Sequence, residues 1–261
     1  MWSPNPSDHP AYDRRLLLSG PKRNAVLELW EVHRYGTESY GDANYVSIYG
    51  MRPSDWYVSG VWLLGRTAVE CTRDALGAAI GSDIAAIAGA APAMTGAPVI
   101  DLFAGSANTL YWMLRCLPEA RGLGFELDEA VYRLTRRNLG TLGLSIDIVN
   151  ADYLSGLSGA SVPVDRPLIT FIAPPWGDAL GPASGLDLRR TTPPVTRIVD
   201  DLVRAFPGRR LLCAIQVYEK LEPSSLAELA HRFDWSALRL YTLDVPGENH
   251  GILLGTRGWA P

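Results

Sequence analysis

The sequence predicts an α/β protein with a doubly wound, mostly parallel sheet, a C-terminal antiparallel hairpin and an aromatic-rich N-terminal extension. Two observations carry this prediction. Between residues 98 and 217, apolar runs of strand length alternate with segments of helical periodicity, which is typical of parallel strands covered by helices on both faces. Residues 238–243 and 251–255 are instead two apolar runs with too little chain between them for a helix, which indicates an antiparallel pair.

The individual elements follow from the length and periodicity of the apolar runs. Short apolar runs predict strands at 98–103, 121–126, 145–149, 167–172 and 210–217, and apolar residues at helical spacing predict helices at 108–117, 129–139 and about 194–205. Upstream, residues 61–80 show helical spacing, and residues 85–97 are rich in Ala, Gly and Pro, which favours a helix end and a linker. Residues 25–32 alternate apolar and polar side chains, which predicts a strand.

Composition narrows the class of protein. The chain has 261 residues, of which 47% are hydrophobic and 20% charged, as in folded globular proteins. A formal charge of −4 argues against extensive nucleic-acid binding, which usually shows as a basic surface. The three cysteines are far apart, so we expect a reducing, cytoplasmic setting and no metal site. No secretory signal or membrane span is expected either, because no apolar segment is long enough.

The chain divides into an N-terminal extension, residues 1–60, and a main domain, residues 61–261. Trp and Tyr recur between positions 30 and 62, interspersed with glycines. Trp and Tyr side chains combine an apolar ring with a polar group, which suits a surface that is partly hydrated and partly apolar. The extension is therefore a candidate substrate lid, with Tyr57 as a candidate substrate contact. The alternative is that these aromatic side chains pack a small layer onto the main domain.

Residues 98–109 predict a nucleoside-binding corner between a strand and a helix. Asp101 follows the apolar strand, small residues around Gly105 let the backbone approach a ligand, and Asn108 and Thr109 begin a helix whose free amides face that ligand. Glu126 ends the next strand, 25 positions after Asp101, where a carboxylate can accept hydrogen bonds from ribose hydroxyls. The alternative for Glu126 is a role at the start of the following helix, which we instead give to Asp128.

Two further turns follow the third and fourth strands. Asp152 is placed to accept a hydrogen bond from an adenine amine, with Tyr153 beside it; the alternative is an ordinary loop aspartate. The segment 173–176, Ala-Pro-Pro-Trp, has two prolines that fix the backbone and leave the preceding carbonyls free to accept hydrogen bonds. Trp176 offers a flat face on which a planar substrate can stack, and the alternative is a tight turn around a buried Trp.

Taken together, these segments resemble the successive motifs of class I S-adenosylmethionine-dependent methyltransferases. More narrowly, residues 103, 108–109, 174–177 and 185–188 resemble the trimethylguanosine synthase branch, although Ala107 stands where a glycine is usual. The resemblance covers about residues 98–220 and implies a Rossmann-like methyltransferase domain that binds S-adenosylmethionine. The implied cofactor contacts are Asp101, Phe103, Ala104, Gly105, Asn108, Thr109, Glu126, Asp152, Tyr153 and Ala173.

The acceptor is expected to be a planar, amine-bearing small molecule or nucleobase, methylated on nitrogen. Ala173 is the main departure, because related enzymes often carry Asn, Asp or Ser there, whose oxygen accepts from the target amine. This leaves three alternatives open: C- or O-methylation, a proton acceptor elsewhere (Asp178, Asp55, Glu248 or His250), or a non-catalytic cofactor-binding regulator. The predicted catalytic set is Pro174, Trp176 and Asp178, and the predicted substrate contacts are Pro175, Trp176, Arg189, Tyr57 and His250.

Overall fold

A seven-stranded sheet forms the centre of the computed structural model, which describes residues 14–160, 162, 166–181, 184–242 and 250–261. The strands are β1 (Val99–Asp101), β2 (Gly122–Glu126), β3 (Asp147–Asn150), β4 (Leu168–Ile172), β5 (Leu180–Gly181), β6 (Gly185–Leu186), β7 (Leu211–Tyr218), β8 (Trp235–Tyr241) and β9 (His250–Arg257). The short strands β5 and β6 form a separate ribbon, and the main sheet has the order β3-β2-β1-β4-β7-β9-β8.

The strand directions confirm the predicted fold class. Neighbouring strands from β3 to β7 are parallel, whereas β9 is antiparallel to both β7 and β8. The C-terminal antiparallel pair is therefore present, and β9 lies between β7 and β8. Residues 243–249, which include the end of one predicted strand, lie outside the described part of the chain.

Helices cover both faces of this sheet. They are α1 (Arg14–Leu18), α2 (Leu29–Tyr40), α3 (Pro53–Val58), α4 (Gly65–Glu70), α5 (Asp74–Gly89), α6 (Asn108–Cys116), α7 (Glu129–Thr141), α8 (Tyr153–Gly159), α9 (Val195–Ala205) and α10 (Pro223–Ala230). Single turns of 3-10 helix occur at Pro92–Met94 and Gly177–Ala179. One apolar core includes residues of α8, α9 and α10, and another includes residues of α5 and α6, so the sheet is buried on both sides.

The predicted strand at 25–32 is wrong, because α2 begins inside it at Leu29. Glu28 and Glu31 form a reciprocal capping box, in which the Glu31 carboxylate accepts a hydrogen bond from the Glu28 backbone N–H at 2.9 Å. Caps of this kind stabilise a helix start, and they outweigh the alternating pattern here. Val26 keeps only an isolated bridge to Leu64.

The predicted helix at 61–80 is interrupted at residues 71–73, which separate α4 from α5. Tertiary hydrogen bonds hold this break: the Asn108 Nδ2 donates to the Thr72 carbonyl at 2.8 Å, and the Asp74 N–H donates to the Ser47 carbonyl at 3.0 Å. The α5 helix then ends at Gly89, inside the segment 85–97 that is predicted to contain a helix end and a linker.

Aromatic and aliphatic residues of the N-terminal extension form much of a third apolar core, which we call the N-terminal layer. Tyr35, Tyr49 and Trp56 are at most 4% exposed, and they belong to one cluster with Ala107 and Leu139 from the main sheet's helices and turns. The described part of the extension is thus packed against α6 and α7. In the described residues, no helix is both long and apolar enough to cross a membrane.

The close packing of Gly156 on the cavity-lining Phe125 gives a stability prediction. A Cβ at position 156 would lie 2.6 Å from the Phe125 ring, which is 2% exposed, so we expect Gly156→Ala to destabilise the fold by about 1–3 kcal/mol. Gly159→Ala, in the same helix, is the control: nothing lies within 4 Å of its added Cβ, so stability should stay constant or rise by up to about 1 kcal/mol. Urea unfolding measures both, and equal losses would contradict the packing argument.

Candidate active site

Two adjoining cavities lie along the carboxyl edge of the sheet. The first, of ≈ 380 Å³, is lined by residues that follow β1, β2, β3 and β4, and the second, of ≈ 280 Å³, lies on the far side of Ala173. Five residues line both cavities and mark their junction: Glu70, Cys71, Thr72, Ala173 and Gln216. Crevices at this edge of an open parallel sheet are where such folds bind ligands.

The Asp101 carboxylate lies at the floor of the first cavity. It is 1% exposed and accepts a hydrogen bond from the Phe103 N–H at 3.1 Å. Burial raises its pKa to about 7, and the nearby Glu126 carboxylate adds to the increase. A cationic ligand group placed beside Asp101 would offset this desolvation, so the site favours a positively charged partner.

Glu126 and Gly105 form one wall of the first cavity. The Glu126 carboxylate accepts from the Gly105 N–H at 3.0 Å and from the Asp128 N–H at 2.7 Å, which fixes its position. Burial raises the pKa of Glu126. Gly105 has a φ of +51°, and a Cβ there would meet no atom within 4 Å, so the backbone at this turn is open to a ligand. Asp128 caps α7, as the sequence predicts.

Ala107 adopts the left-handed conformation that explains why glycine is usual at this position. Its φ is +58°, and it is the N-cap of α6. The side chain is fully buried in the N-terminal layer, so the methyl group gains packing that offsets the backbone strain.

Asp152 and Tyr153 follow β3 and also line the first cavity. Asp152 is the N-cap of α8, where its Oδ1 accepts from the Leu154 N–H at 2.9 Å. The Tyr153 hydroxyl donates to Asp201 at 2.7 Å, away from the cavity mouth, and its ring packs against Phe103 at 5.5 Å between centroids. The first cavity is therefore lined here by the Asp152 carboxylate and by the aromatic rings of Phe103 and Tyr153. Ala104, Thr109 and Ala173 also line it.

Asn108 is placed differently from the sequence expectation, because it does not line either cavity. It is 1% exposed, and its side chain accepts from the Tyr49 N–H at 2.7 Å. Its Nδ2 donates to the Thr72 carbonyl at 2.8 Å and to Asp74 Oδ1 at 3.1 Å. Asn108 thus connects the N-terminal layer and the α4–α5 break to the turn after β1.

The second cavity has an aromatic wall. Trp176 stacks on His250 with ring centroids 5.5 Å apart and an angle of 23° between planes, and Tyr218 contacts both rings edge-on. Pro174 lies beside them. Arg73 and Tyr45 also line the second cavity. Arg73 is 7% exposed, and its guanidinium carbon lies 4.5 Å from the centre of the Tyr45 ring. One face of Trp176 is therefore covered by His250.

The remaining predicted site residues are placed as follows. Pro175 lines the first cavity, whereas Asp178, Arg189, Tyr57 and Asp55 are not among the described residues that line either one. Arg189 pairs with Asp187 and Glu222, each at 2.9 Å, and the Tyr57 hydroxyl donates to Glu28 at 2.6 Å. Glu248 lies outside the described residues. No group of three or more His, Cys, Asp or Glu side chains suited to a metal occurs in the described part of the chain.

Sequence reasoning missed Glu70, Thr72 and Gln216 at the junction. Gln216 carries a detectable signal, since it is the polar residue in the otherwise apolar run of β7. Glu70 and Thr72 carry no local signal, because they reach the site through the tertiary packing of α4 and the break that follows it.

No model of a known protein family matches the chain, and no curated protein matches it either. Among solved structures it is similar to the METTL16 MTase domain, with a TM-score of 0.53 and 13% identity over 97% of this chain and 94% of that one. A second crystal form of that domain gives a TM-score of 0.53 and 14% identity over 93% of this chain and 94% of the other. A delta-N form of that domain gives a TM-score of 0.50 and 16% identity over 72% of this chain and 84% of the other. The chain therefore has the Rossmann-like fold of methyltransferase domains.

Proposed function

We propose that this protein is an S-adenosylmethionine-dependent methyltransferase that acts on a nitrogen of a planar, amine-bearing small molecule or nucleobase. One observation carries the proposal: a cavity bordered by acids from three successive strands meets a cavity with an aromatic wall, and Ala173 lies at their junction. A methyl donor in the first cavity and an acceptor in the second would face each other there.

The residues of the first cavity suit the proposed cofactor. The buried Asp101 carboxylate suits the cationic methionine end, with the open backbone at Gly105 beside it. Each Glu126 oxygen accepts one backbone hydrogen bond and keeps capacity for a ribose hydroxyl, and Asp152 would accept from the adenine amine. When bound, the cofactor supplies a methyl group on a positively charged sulfur, which keeps the electron pair of the broken bond.

The chain's own contribution is alignment of the acceptor with the methyl donor. Pro174 and Pro175 fix the turn that separates the two cavities, and Trp176 sets the plane in which a flat acceptor would lie. The acceptor's lone pair forms the new bond, and the methylated nitrogen releases its proton to water. Such a reaction needs precise placement more than covalent help from the protein.

The proposal is tested with methyl-labelled S-adenosylmethionine. Guanine nucleotides, adenine nucleotides, aromatic amines and short RNAs serve as acceptors, and mass spectrometry assigns the methylated atom. Label on nitrogen supports the proposal, whereas label on carbon or oxygen would replace it with the corresponding methyltransferase. Cofactor binding by calorimetry without transfer to any acceptor would instead favour a cofactor-binding regulator.

Trp176→Ala is expected to lower kcat/KM for the acceptor without changing the Kd for the cofactor. Loss of a stacking platform costs about 1–3 kcal/mol, which corresponds to roughly 5- to 150-fold. Trp30→Ala on α2 is the control, because Trp30 is 50% exposed and does not line the cavities. An unchanged kcat/KM in Trp176→Ala would remove the second cavity from the proposed acceptor site.

A further inference from the structure

We infer that Gln216 is the residue that positions the acceptor amine, in place of the oxygen-bearing side chain absent at Ala173. The inference rests on the proposed function and deepens it. The parallel strands β4 and β7 are neighbours in the sheet, and both lead to the junction between the cavities.

The pairing of β4 with β7 brings the two positions side by side. Ile172, the last residue of β4, pairs with Ile215; Ala173 directly follows β4, and Gln216 is the next residue of β7. Residues in register on neighbouring strands present their side chains to the same face of the sheet. Ala173 and Gln216 both line the two cavities. The oxygen-bearing side chain that Ala173 lacks is therefore present at the junction on the neighbouring strand, at Gln216.

The Gln216 carboxamide is held in place from one side. Its Oε1 accepts from the Thr72 hydroxyl at 3.2 Å, and the Thr72 backbone is in turn fixed by Asn108 at 2.8 Å. A carboxamide oxygen accepts two hydrogen bonds, so one remains for an N–H of the acceptor. Gln216 itself is partly exposed, which leaves this oxygen within reach of a ligand in the junction.

This arrangement selects a class of acceptor. A primary or secondary amine has an N–H to donate to Gln216 while its lone pair points to the methyl group. A hydroxyl acceptor also has a hydrogen to donate, whereas an acceptor methylated on carbon gains nothing from the contact. Ala173 beside it removes the bulk of a larger side chain, so the amine approaches Gln216 directly. Gln216 is thus a positioning residue for acceptors whose reacting atom carries a hydrogen to donate, as the proposed amine does.

The test compares three variants: Gln216→Leu, Gln216→Glu and the double variant Gln216→Leu with Ala173→Asn. Guanosine monophosphate, adenosine monophosphate and 4-aminobenzoate are assayed separately as acceptors, and cofactor Kd is measured by calorimetry. We expect Gln216→Leu to lower kcat/KM about 10- to 100-fold with cofactor Kd unchanged. Gln216→Glu, which keeps an accepting oxygen, should retain kcat/KM within about threefold, and Asn at position 173 should restore much of the loss.

Each outcome is decisive. Glu219→Gln, an exposed position just after β7, is the control and should behave as the parent protein. An unchanged kcat/KM in Gln216→Leu, or no restoration by Ala173→Asn, overturns the role of Gln216 and leaves the proposed function standing. Failure of the parent protein to methylate these three amines and every other acceptor class named for the proposed function, with the cofactor bound, overturns the proposed function and this inference together.

Discussion

Replacing Asp101 with asparagine is expected to weaken S-adenosylmethionine binding about 10- to 150-fold at pH 8, because a hydrogen bond to a charged group contributes about 1.5–3 kcal/mol. The same change is expected to stabilise the ligand-free protein. Burial raises the pKa of Asp101 from 3.8 to about 7, so at pH 8 the fold holds a costly charge that asparagine lacks. Affinity and stability should therefore move in opposite directions.

The raised pKa of Asp101 makes the stability of the ligand-free protein depend on pH. Because the folded pKa lies above the unfolded value, the protonated group favours the fold, and stability is lost as pH rises from about 4 to about 7. The full difference corresponds to roughly 4 kcal/mol at 1.36 kcal/mol for each unit of pKa. Cofactor affinity follows the charged form, so it should rise with pH up to about 7 and then level off.

Calorimetric Kd values and urea unfolding between pH 5.5 and 8.5 check both effects. Asp101→Asn should show neither the rise in affinity nor the loss of stability that the parent protein shows over this range. Asp147→Asn is the matched control, since Asp147 is exposed and outside the described cavity linings. A parallel pH dependence in the parent protein and Asp101→Asn would show that another group controls binding.

Asn108→Ala is expected to destabilise the fold by about 2–5 kcal/mol, the largest loss that we predict for a residue outside the cavities. The substitution removes three hydrogen bonds from a side chain that is 1% exposed. It leaves the buried Tyr49 N–H without this partner, and a buried donor is costly when unsatisfied. The partly buried Thr72 carbonyl loses the same partner.

Urea unfolding measures the loss, and Asn44→Ala, at an exposed turn, is the control and should change stability by less than about 0.5 kcal/mol. Hydrogen exchange adds a local readout: the amides of Tyr49 and Asp74 should exchange faster in Asn108→Ala, relative to the sheet. Uniform acceleration over the whole chain, or a stability equal to that of Asn44→Ala, would contradict the proposed connecting role of Asn108.

The sheet was predictable from the sequence because its signals are local. Apolar runs and helical periodicity indicate parallel strands and their covering helices. Asp101 and Glu126 are the last residues of β1 and β2, and Asp152 lies just after β3. The prediction of a strand at 25–32 is wrong because the capping box formed by Glu28 and Glu31 starts a helix there. The capping box is also a local signal, and it outweighs the alternation of apolar and polar residues.

The rest of the site was not predictable because it depends on distant packing. The break between α4 and α5 is held by Asn108 and Ser47, and neither is near it in sequence. Asn108 has the residue type of a ligand contact at a helix start, yet its side chain turns back toward Tyr49. The roles of Asp101, Glu126 and Asp152 toward the cofactor stay predictions, as does the narrower resemblance to the trimethylguanosine synthase branch.

The position of β9 between β7 and β8 has a consequence for synthesis of the chain. The β8 strand is made before β9, yet it joins the sheet through β9. During translation the nascent chain therefore presents the unpaired edge of β7 and an unplaced β8 until residues 250–257 leave the ribosome. A premature stop codon before His250 should yield an aggregating product rather than a smaller working protein.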